Sequence, residues 1–227
     1  LRPAEGLLSH EEIQSMVNKM LEYGGLVSER ALPDGGKRPY EINISLFDAL
    51  QTEEKFLCAH TILLGLEGVP AFYIHSLLGT RNDREEAIGS GMSRRINRRK
   101  WKADDLRVEL DNERSPHASV LKKLLDRIDL RREQAAFHPN ATQFTLHMGD
   151  QVFAFWRQSV DRRSNVFCLN NVSGEQQRIP VASINLISTE DWLDLISGDA
   201  LEDKEGDIVL SPYQCIWLAN RRKHFPY

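Results

Sequence analysis

The stretch Gly68-Val69-Pro70-Ala71-Phe72-Tyr73-Ile74-His75 is a short, nearly continuous apolar run. It begins after a glycine and is followed by a second glycine, Gly79. Such a run is typical of a strand that is buried on both faces, as in a parallel sheet. Pro70 fits only near the first position of such a strand, because proline cannot donate a ladder hydrogen bond. The run therefore predicts one buried parallel strand at residues 69–75.

Helical patterns lie on both sides of this run. Ser9 and Glu12 have the spacing of a capping box, and the apolar residues behind them recur on one helical face over residues 9–22. A second helix is predicted from about residue 52 to residue 64, and a third at about 118–136. The residues between them, 31–39 and 79–117, are polar and rich in turn-forming residues, so both are predicted to be loops. A loop as long as the second is usually functional or disordered.

The pattern changes near Pro139, where short β-type runs replace the helices. Residues 144–147 and 152–156 flank a Gly149-Asp150 turn, which indicates a hairpin. Further β runs follow at 165–170, 177–181, 184–187 and 207–218. We therefore predict an α/β portion at residues 1–140 and a small antiparallel β domain at residues 141–227.

The α/β portion has one predicted strand, and a single strand cannot form a sheet. Its backbone groups would be buried without partners, at a cost of about 1–3 kcal/mol each. The chain also begins at Leu1 and not at methionine. Both observations lead us to expect that residues 1–140 belong to a larger structure whose N-terminal part lies upstream.

Composition indicates an ordinary soluble globular protein, with 41% hydrophobic and 27% charged residues. The net charge of −4 gives no general attraction to nucleic acid or to an anionic membrane. The three cysteines, Cys58, Cys168 and Cys215, lack the spacing of a metal site or a disulfide framework. We expect three buried, reduced thiols, which is consistent with a cytoplasmic protein.

Four stretches together resemble the end of sucrose phosphorylase and its relatives in glycoside hydrolase family 13. The run from Gly68 is similar to the family's last barrel strand, and Leu77-Leu78-Gly79-Thr80-Arg81-Asn82-Asp83 to the loop after it. Ser93-Arg94-Arg95-Ile96-Asn97-Arg98 resembles the family's Gly-Arg-Asp-Ile-Asn-Arg, and Tyr40-Glu41-Ile42-Asn43 its Tyr-Gln-Val-Asn. The order and spacing of the four stretches also agree.

The resemblance implies the C-terminal part of a (β/α)8 barrel followed by a small antiparallel β domain. It implies a retaining glucosyl transfer between an α-glucoside and inorganic phosphate, with no metal or organic cofactor. The catalytic carboxylates of the family lie on earlier strands and have no counterpart here, so no catalytic residue is assigned. We expect the chain to be inactive alone and to need the rest of its barrel or self-association.

By the same resemblance, Arg94 contacts the glucose; the alternative is a solvated arginine in a basic run. Asn97 and Arg98 are expected to support that loop, and Asn82 and Asp83 either orient it or form a plain turn. Arg95 stands where relatives carry aspartate, so the ion pairs of the loop are left open.

Tyr40 and Glu41 fall in a loop that is mobile in the relatives, and Glu41 replaces their glutamine. Arg38 stands where sucrose phosphorylases carry an aspartate that contacts fructose. Lys37 and Arg38 would attract an anionic acceptor, which favours glucosylglycerate over sucrose or sucrose 6′-phosphate; a solvated pair is the alternative. A different class, a non-catalytic carbohydrate-binding or interaction module, also stays open.

His75 could line the active site, and Trp156 and Trp217 could form a sugar-binding platform, although packing is the simpler interpretation for these residues and for His60. His75 ends the predicted strand, and His60 lies inside a predicted helix. Trp156 and Trp217 lie in β runs, where core packing is expected.

Overall fold

The structure is a computed structural model that describes residues 1–33, 35–184, 191–201 and 205–221, without the side chains of Arg2 and Arg221. It divides into two compact units. The first unit contains residues 1–56 and 72–122, and the second contains residues 57–71 and 123–227. No helix in the described part of the chain is long and apolar enough to cross a membrane. The predicted domain boundary near residue 140 stays a prediction.

The first unit combines short helices with a β-hairpin. Its elements are α1 (His10–Glu22), β1 (Leu26–Ala31), β2 (Lys37–Asn43), α2 (Leu46–Leu50), the start of α3 (Glu53–Gly65), α4 (Ile74–Leu77), α5 (Arg84–Ser90), α6 (Ala103–Asp111) and the start of α7 (Pro116–Glu133). A 3-10 turn, Ser93–Asn97, lies between α5 and α6. Strands β1 and β2 pair antiparallel.

The three predicted helices are confirmed as α1, α3 and α7. In α1, the Ser9 side chain accepts the Glu12 N–H, and the Glu12 carboxylate accepts the Ser9 N–H at 2.7 Å, so the capping box forms as predicted. Phe47 and Phe56 pack with ring centroids 5.0 Å apart and are both buried. These aromatic side chains give the first unit an apolar centre.

The predicted strand at residues 69–75 is wrong for this chain. Residues 69–73 have no regular secondary structure, and α4 begins at Ile74. Val69 is 80% exposed and Tyr73 is 50% exposed. A parallel strand requires neighbouring strands for its hydrogen bonds, and no strand in the described part of the chain pairs with this segment. The segment therefore joins no ladder in the described part of the chain, and the Tyr73 carbonyl instead accepts the N–H groups of Ser76 and Leu77 at the start of α4.

Both predicted loops of the first half also need correction. Residues 31–39 overlap the ends of β1 and β2, and Tyr40 and Glu41 lie in β2 and not in a loop. Pro39 pairs with Glu29 beside a register shift in this two-stranded hairpin. Proline is tolerated there because each strand of a two-stranded sheet has a free edge. The segment 79–117 contains α5, α6 and a 3-10 turn, so it is not an unstructured loop.

The second unit is built on a five-stranded antiparallel sheet of order β3-β4-β5-β9-β7. Its strands are β3 (Thr142–His147), β4 (Val152–Gln158), β5 (Asn165–Asn171), β7 (Asp191–Asp194) and β9 (Cys215–Arg221). A two-stranded sheet pairs β6 (Gln177–Pro180) with β8 (Asp207–Leu210). The antiparallel β domain predicted from the sequence is confirmed.

The sheet is packed on both faces, because every residue of its central strand β5 is buried. On one face, Phe167 and Leu169 join an apolar cluster with Trp192, Ile208 and Ile216. On the other face, residues of β4 and β9 pack beside Phe137, whose ring centroid lies 4.8 Å from that of Trp217.

Most individual β runs are confirmed, and the differences concern short elements. The predicted run at 184–187 begins with Ile184, which ends a 3-10 turn, and its other residues lie outside the described residues. Strand β7 was not predicted, because four residues are too few to show an alternating pattern. Trp217 is fully buried and Trp156 stacks between Phe144 and Phe167, which confirms packing for both tryptophans. All three cysteines are free and buried, as predicted.

Candidate functional site

A basic groove of about 590 Å³ lies in the first unit, beside the 3-10 turn Ser93–Asn97. Four cationic side chains and one carboxylate line it, together with smaller groups: Arg94, Arg95, Arg98, Lys100 and Glu86, with Ser28, Met92 and Ser93. The excess of positive charge makes this groove attractive to an anion. Hereafter it is called the basic groove.

Arg94 lines this groove, and two other residues predicted to bind substrate, Tyr40 and Glu41, lie beside Arg94. The Arg94 Nε donates to the Glu41 Oε2 at 2.9 Å. Glu41, and more weakly Tyr40, raise the pKa of the Arg94 guanidinium. Arg94 and Glu41 are 53 positions apart, so it is the fold of the first unit that joins β2 to the 3-10 turn. The arrangement leaves an exposed Tyr40 ring next to a charged pair, which suits contact with sugar hydroxyls.

Arg38 holds a carboxylate in this structure. Its Nη2 donates to both Glu5 oxygens, at 2.9 and 3.1 Å, and both side chains are more than one third exposed. Lys37, the first residue of β2, is exposed. Arg38 pairs across the hairpin with Arg30, and Lys37 pairs with Ala31. The predicted pair Lys37 and Arg38 therefore lies at the tip of a hairpin and not in a flexible loop.

A carboxylate that sequence reasoning missed fastens the loop after α4. Asp48 accepts the backbone N–H of Asn82 at 2.5 Å and an Arg81 Nη1 hydrogen at 2.9 Å. In return, the Asn82 side-chain oxygen accepts the Ser45 N–H at 2.7 Å. These contacts tie Asn82 to α2, and its role in orienting the loop of Arg94 stays a prediction. Asp48 gave no signal in the sequence, since an isolated acidic residue in a helix is ordinary.

The next residues continue this support. Asp83 caps α5 by accepting the Glu86 N–H, and its own N–H donates to the Ile96 carbonyl at 2.6 Å. The Asn97 amide donates to the Ile44 carbonyl at 3.4 Å, and the Asn97 carbonyl accepts the Tyr73 hydroxyl at 3.3 Å. The C-terminal end of the 3-10 turn that carries Arg94 is therefore tied to its surroundings.

Arg95, the residue that departs from the family pattern, forms an ion pair with Glu86, and both side chains line the basic groove. The ion pair left open by the sequence is therefore one to α5. Arg98 lines the basic groove with an exposed side chain, and its predicted role in supporting the loop stays a prediction. No ion pair is found for Arg98 or Lys100 in the described part of the chain, so both charges are available to an anion.

The remaining candidate, His75, is half-buried beside the Tyr73 ring, with its Nδ1 3.4 Å from the Thr80 hydroxyl. Burial lowers the pKa of its imidazole. His60 is buried, as expected for a packing residue. Within residues 1–33, 35–184, 191–201 and 205–221, no group of three or more His, Cys, Asp or Glu could hold a metal ion.

Comparison with known proteins gives close relatives over nearly the whole chain. Glucosylglycerate phosphorylase of Spirochaeta thermophila is 35% identical over 97% of this chain, and that of Escherichia coli is 34% identical over 96%. Sucrose 6(F)-phosphate phosphorylase of Ilumatobacter coccineus is 30% identical over 59% of the chain. The chain spans about 40% of the length of the two glucosylglycerate phosphorylases. No protein-family model matches the chain.

Solved structures show the same fold. The crystal structure of sucrose 6F-phosphate phosphorylase from Thermoanaerobacter thermosaccharolyticum matches 92% of this chain and 37% of its own, with a TM-score of 0.63 and 18% identity. Sequence and fold thus agree on one assignment. The chain resembles the C-terminal portion of proteins in the sucrose phosphorylase and glucosylglycerate phosphorylase group of glycoside hydrolase family 13.

Proposed function

We propose that this chain is the acceptor-binding C-terminal portion of a retaining α-glucoside phosphorylase, with glucosylglycerate as the favoured substrate. Such an enzyme transfers glucose between the glucoside and inorganic phosphate through a covalent glucosyl intermediate. Two relatives that match nearly the whole chain carry the name glucosylglycerate phosphorylase, which supports the proposal.

The observation that carries the substrate assignment is the contact of Arg38 with a carboxylate. Glycerate is a carboxylate, whereas fructose is neutral. Arg38 holds the Glu5 carboxylate with two contacts at 2.9 and 3.1 Å, so its guanidinium is placed to bind such a group. The basic groove, which Arg98 and Lys100 line, adds further attraction for anions.

The test is a chimera in which this chain replaces the matching portion of the Spirochaeta thermophila enzyme. We expect Arg38→Asp to lower kcat/KM for glucosylglycerate by about 10–100-fold, since one charge-assisted hydrogen bond contributes about 1.5–3 kcal/mol. The effect on sucrose should be smaller. Arg30→Asp is the matched control, because Arg30 is the cross-strand partner of Arg38 and has the same charge. Equal losses for both variants, or an unchanged preference, would contradict the role of Arg38.

Sucrose 6′-phosphate is the alternative substrate, and the match to the Ilumatobacter coccineus protein favours it. A phosphorylated acceptor would also be attracted to the cationic side chains of the basic groove. The chimera separates the two substrates directly. Faster phosphorolysis of sucrose 6′-phosphate than of glucosylglycerate would assign the chain to that branch, and faster phosphorolysis of sucrose would contradict an anionic acceptor.

We also propose that the chain has no activity alone, because the catalytic carboxylates of the family lie on earlier barrel strands and have no counterpart in this sequence. The 227-residue chain and the chimera should be compared for phosphate release from α-glucose 1-phosphate with glycerate as acceptor. Activity is expected in the chimera only. Turnover by the chain alone would mean that a catalytic site lies within it.

A further inference from the structure

Two of the three thiols, Cys58 and Cys215, lie together in the second unit. Cys58 lies in α3, and Cys215 is the first residue of β9. The two sulfur atoms are 3.4 Å apart, and the Cys215 thiol donates to the Cys58 sulfur. The Cys58 thiol also points at the carbonyl oxygen of Asn171, 3.6 Å away. The cysteines are 157 positions apart, so their contact is a product of the fold and not of sequence proximity.

The geometry is close to that of a disulfide bond. A sulfur–sulfur bond is about 2.05 Å long, so the two sulfurs need to approach each other by only about 1.4 Å. Side-chain rotation about Cβ can supply part of such a shift. Both residues are buried but not sealed, with 5% of Cys58 and 9% of Cys215 exposed. Access of a small oxidant to the sulfurs therefore requires a local opening of the fold.

The surroundings favour a thiolate on one of the two sulfurs. The hydrogen bond from Cys215 lowers the pKa of the Cys58 thiol, and the positive charge of Arg127 acts in the same direction. The same hydrogen bond and burial raise the pKa of Cys215 well above its ordinary value. Cys58 is thus the better nucleophile of the two. Cys215 stays protonated and can donate a proton to the oxygen that leaves when a peroxide is reduced.

We propose that Cys58 and Cys215 form a reversible disulfide when the protein meets a peroxide, and that this bond joins α3 to β9. The Cys58 thiolate attacks one peroxide oxygen, the O–O bond breaks, and a sulfenic acid forms on Cys58 while the other oxygen leaves as water. The Cys215 sulfur then attacks the Cys58 sulfur, the S–O bond breaks, and a second water leaves. Two thiols lose two electrons in total, and one hydrogen peroxide is reduced to two waters.

Cys168 provides an internal control within the same unit. It is fully buried in β5, and burial raises the pKa of its thiol well above the ordinary value. Cys168 is therefore expected to resist oxidation under conditions that convert the Cys58–Cys215 pair.

The test treats the folded 227-residue chain with hydrogen peroxide, counts free thiols, and measures intact mass. We expect two of the three thiols to disappear with the loss of two hydrogen atoms, and peptide mapping to link Cys58 to Cys215. Dithiothreitol should restore all three thiols. Cys168→Ala should show the same loss of two thiols, whereas Cys58→Ser and Cys215→Ser should form no intramolecular disulfide.

A second measurement keeps the proposal open to refutation if the serine variants fold poorly. The oxidised wild-type chain should melt at least about 5 °C above the reduced chain, because the bond closes a long loop of the unfolded chain. Dithiothreitol should remove the increase. Retention of three thiols, reaction of Cys168 in preference, or addition of oxygen atoms without a Cys58–Cys215 link would each overturn the proposal.

Discussion

Asp48 is the residue whose change should most directly disturb the support of the candidate site. It is buried in α2 and accepts hydrogen bonds from the Asn82 N–H at 2.5 Å, from Arg81 at 2.9 Å and from the Ser45 hydroxyl at 3.1 Å. Asp48→Asn keeps the size of the side chain but removes its charge and one of its two acceptor oxygens. The amide then presents an N–H group to neighbours that are themselves donors.

The cost can be estimated from these contacts. The bond from the Asn82 N–H to a charged acceptor contributes about 1.5–3 kcal/mol. The Arg81 side chain is 56% exposed, so solvent limits its ion pair to about 0.2–1 kcal/mol. Asparagine can keep one neutral hydrogen bond, which returns about 1 kcal/mol. The net loss of stability is therefore about 1–3 kcal/mol, or a fall in melting temperature of about 3–10 °C.

Circular dichroism at increasing temperature would measure this change, and Asp104→Asn is the matched control. Asp104 is 95% exposed and lies 3.9 Å from Arg107, so its substitution should change stability by less than about 0.5 kcal/mol. In the chimeric enzyme, Asp48→Asn should also raise KM, because Asn82 and Asp83 hold the segment that carries Arg94. If the Asp48→Asn variant melted at the same temperature as the Asp104→Asn control, the hydrogen bond between Asp48 and Asn82 would contribute no stability.

Three further outcomes follow from single positions. Gly89→Ala should stabilise the chain by about 0.5–1 kcal/mol in urea denaturation, since Gly89 lies in α5 and a Cβ there has nothing within 4 Å. Gly65→Ala should instead destabilise it by about 1–3 kcal/mol, because the new Cβ would lie 2.8 Å from the Phe155 ring; equal effects at both sites would contradict this. His75 has a lowered pKa in the folded chain, so the unfolded chain binds more protons and stability should fall as the pH drops below the unfolded value of about 6.5. His75→Gln should reduce that pH dependence. If the melting temperatures of the wild-type chain and the variant changed equally between about pH 7.5 and about pH 5.5, the lowered pKa of His75 would be contradicted.

The elements that the sequence predicted correctly are those whose signal is local. The capping box of Ser9 and Glu12 and the hairpin turn at Gly149 depend on residues only a few positions apart. Interactions between residues close in sequence determine such elements, and contacts with distant parts of the chain matter less. They form in the structure as the pattern indicates.

The predicted strand at residues 69–75 failed for the opposite reason. Its apolar pattern is typical of a buried strand, but a strand forms only where neighbouring strands supply hydrogen-bond partners for its backbone. The hairpin of β1 and β2 was missed, and its residues 31–39 were predicted to be a loop. Pro39 and the glycines of the turn are typical of loops, and the two strands contain few apolar residues. Pairing across the turn, which one sequence does not reveal, decides that hairpin.

The candidate site was predicted in part, and only through resemblance. Arg94 and Glu41 are 53 positions apart, and nothing in the composition of either segment marks them as partners. Asp48 fastens the loop after α4, and Glu86 pairs with Arg95, but neither residue lies in a recognisable motif. An acidic residue acquires such a role only from the cation or N–H that the fold brings to it.

The ion pairs of the site also bear on how a ligand would enter it. Arg38, which the proposed function assigns to the acceptor, and Arg94, which the resemblance assigns to glucose, each hold a carboxylate of this chain, Glu5 and Glu41 respectively. Exposed pairs of this kind contribute about 0–1 kcal/mol, so a ligand carboxylate can replace Glu5 on Arg38 at little cost. The pair meanwhile keeps the guanidinium extended, which reduces the conformational entropy lost on binding. A neutral acceptor such as fructose would have to separate the same charges without supplying a new one, and this difference favours the anionic acceptor.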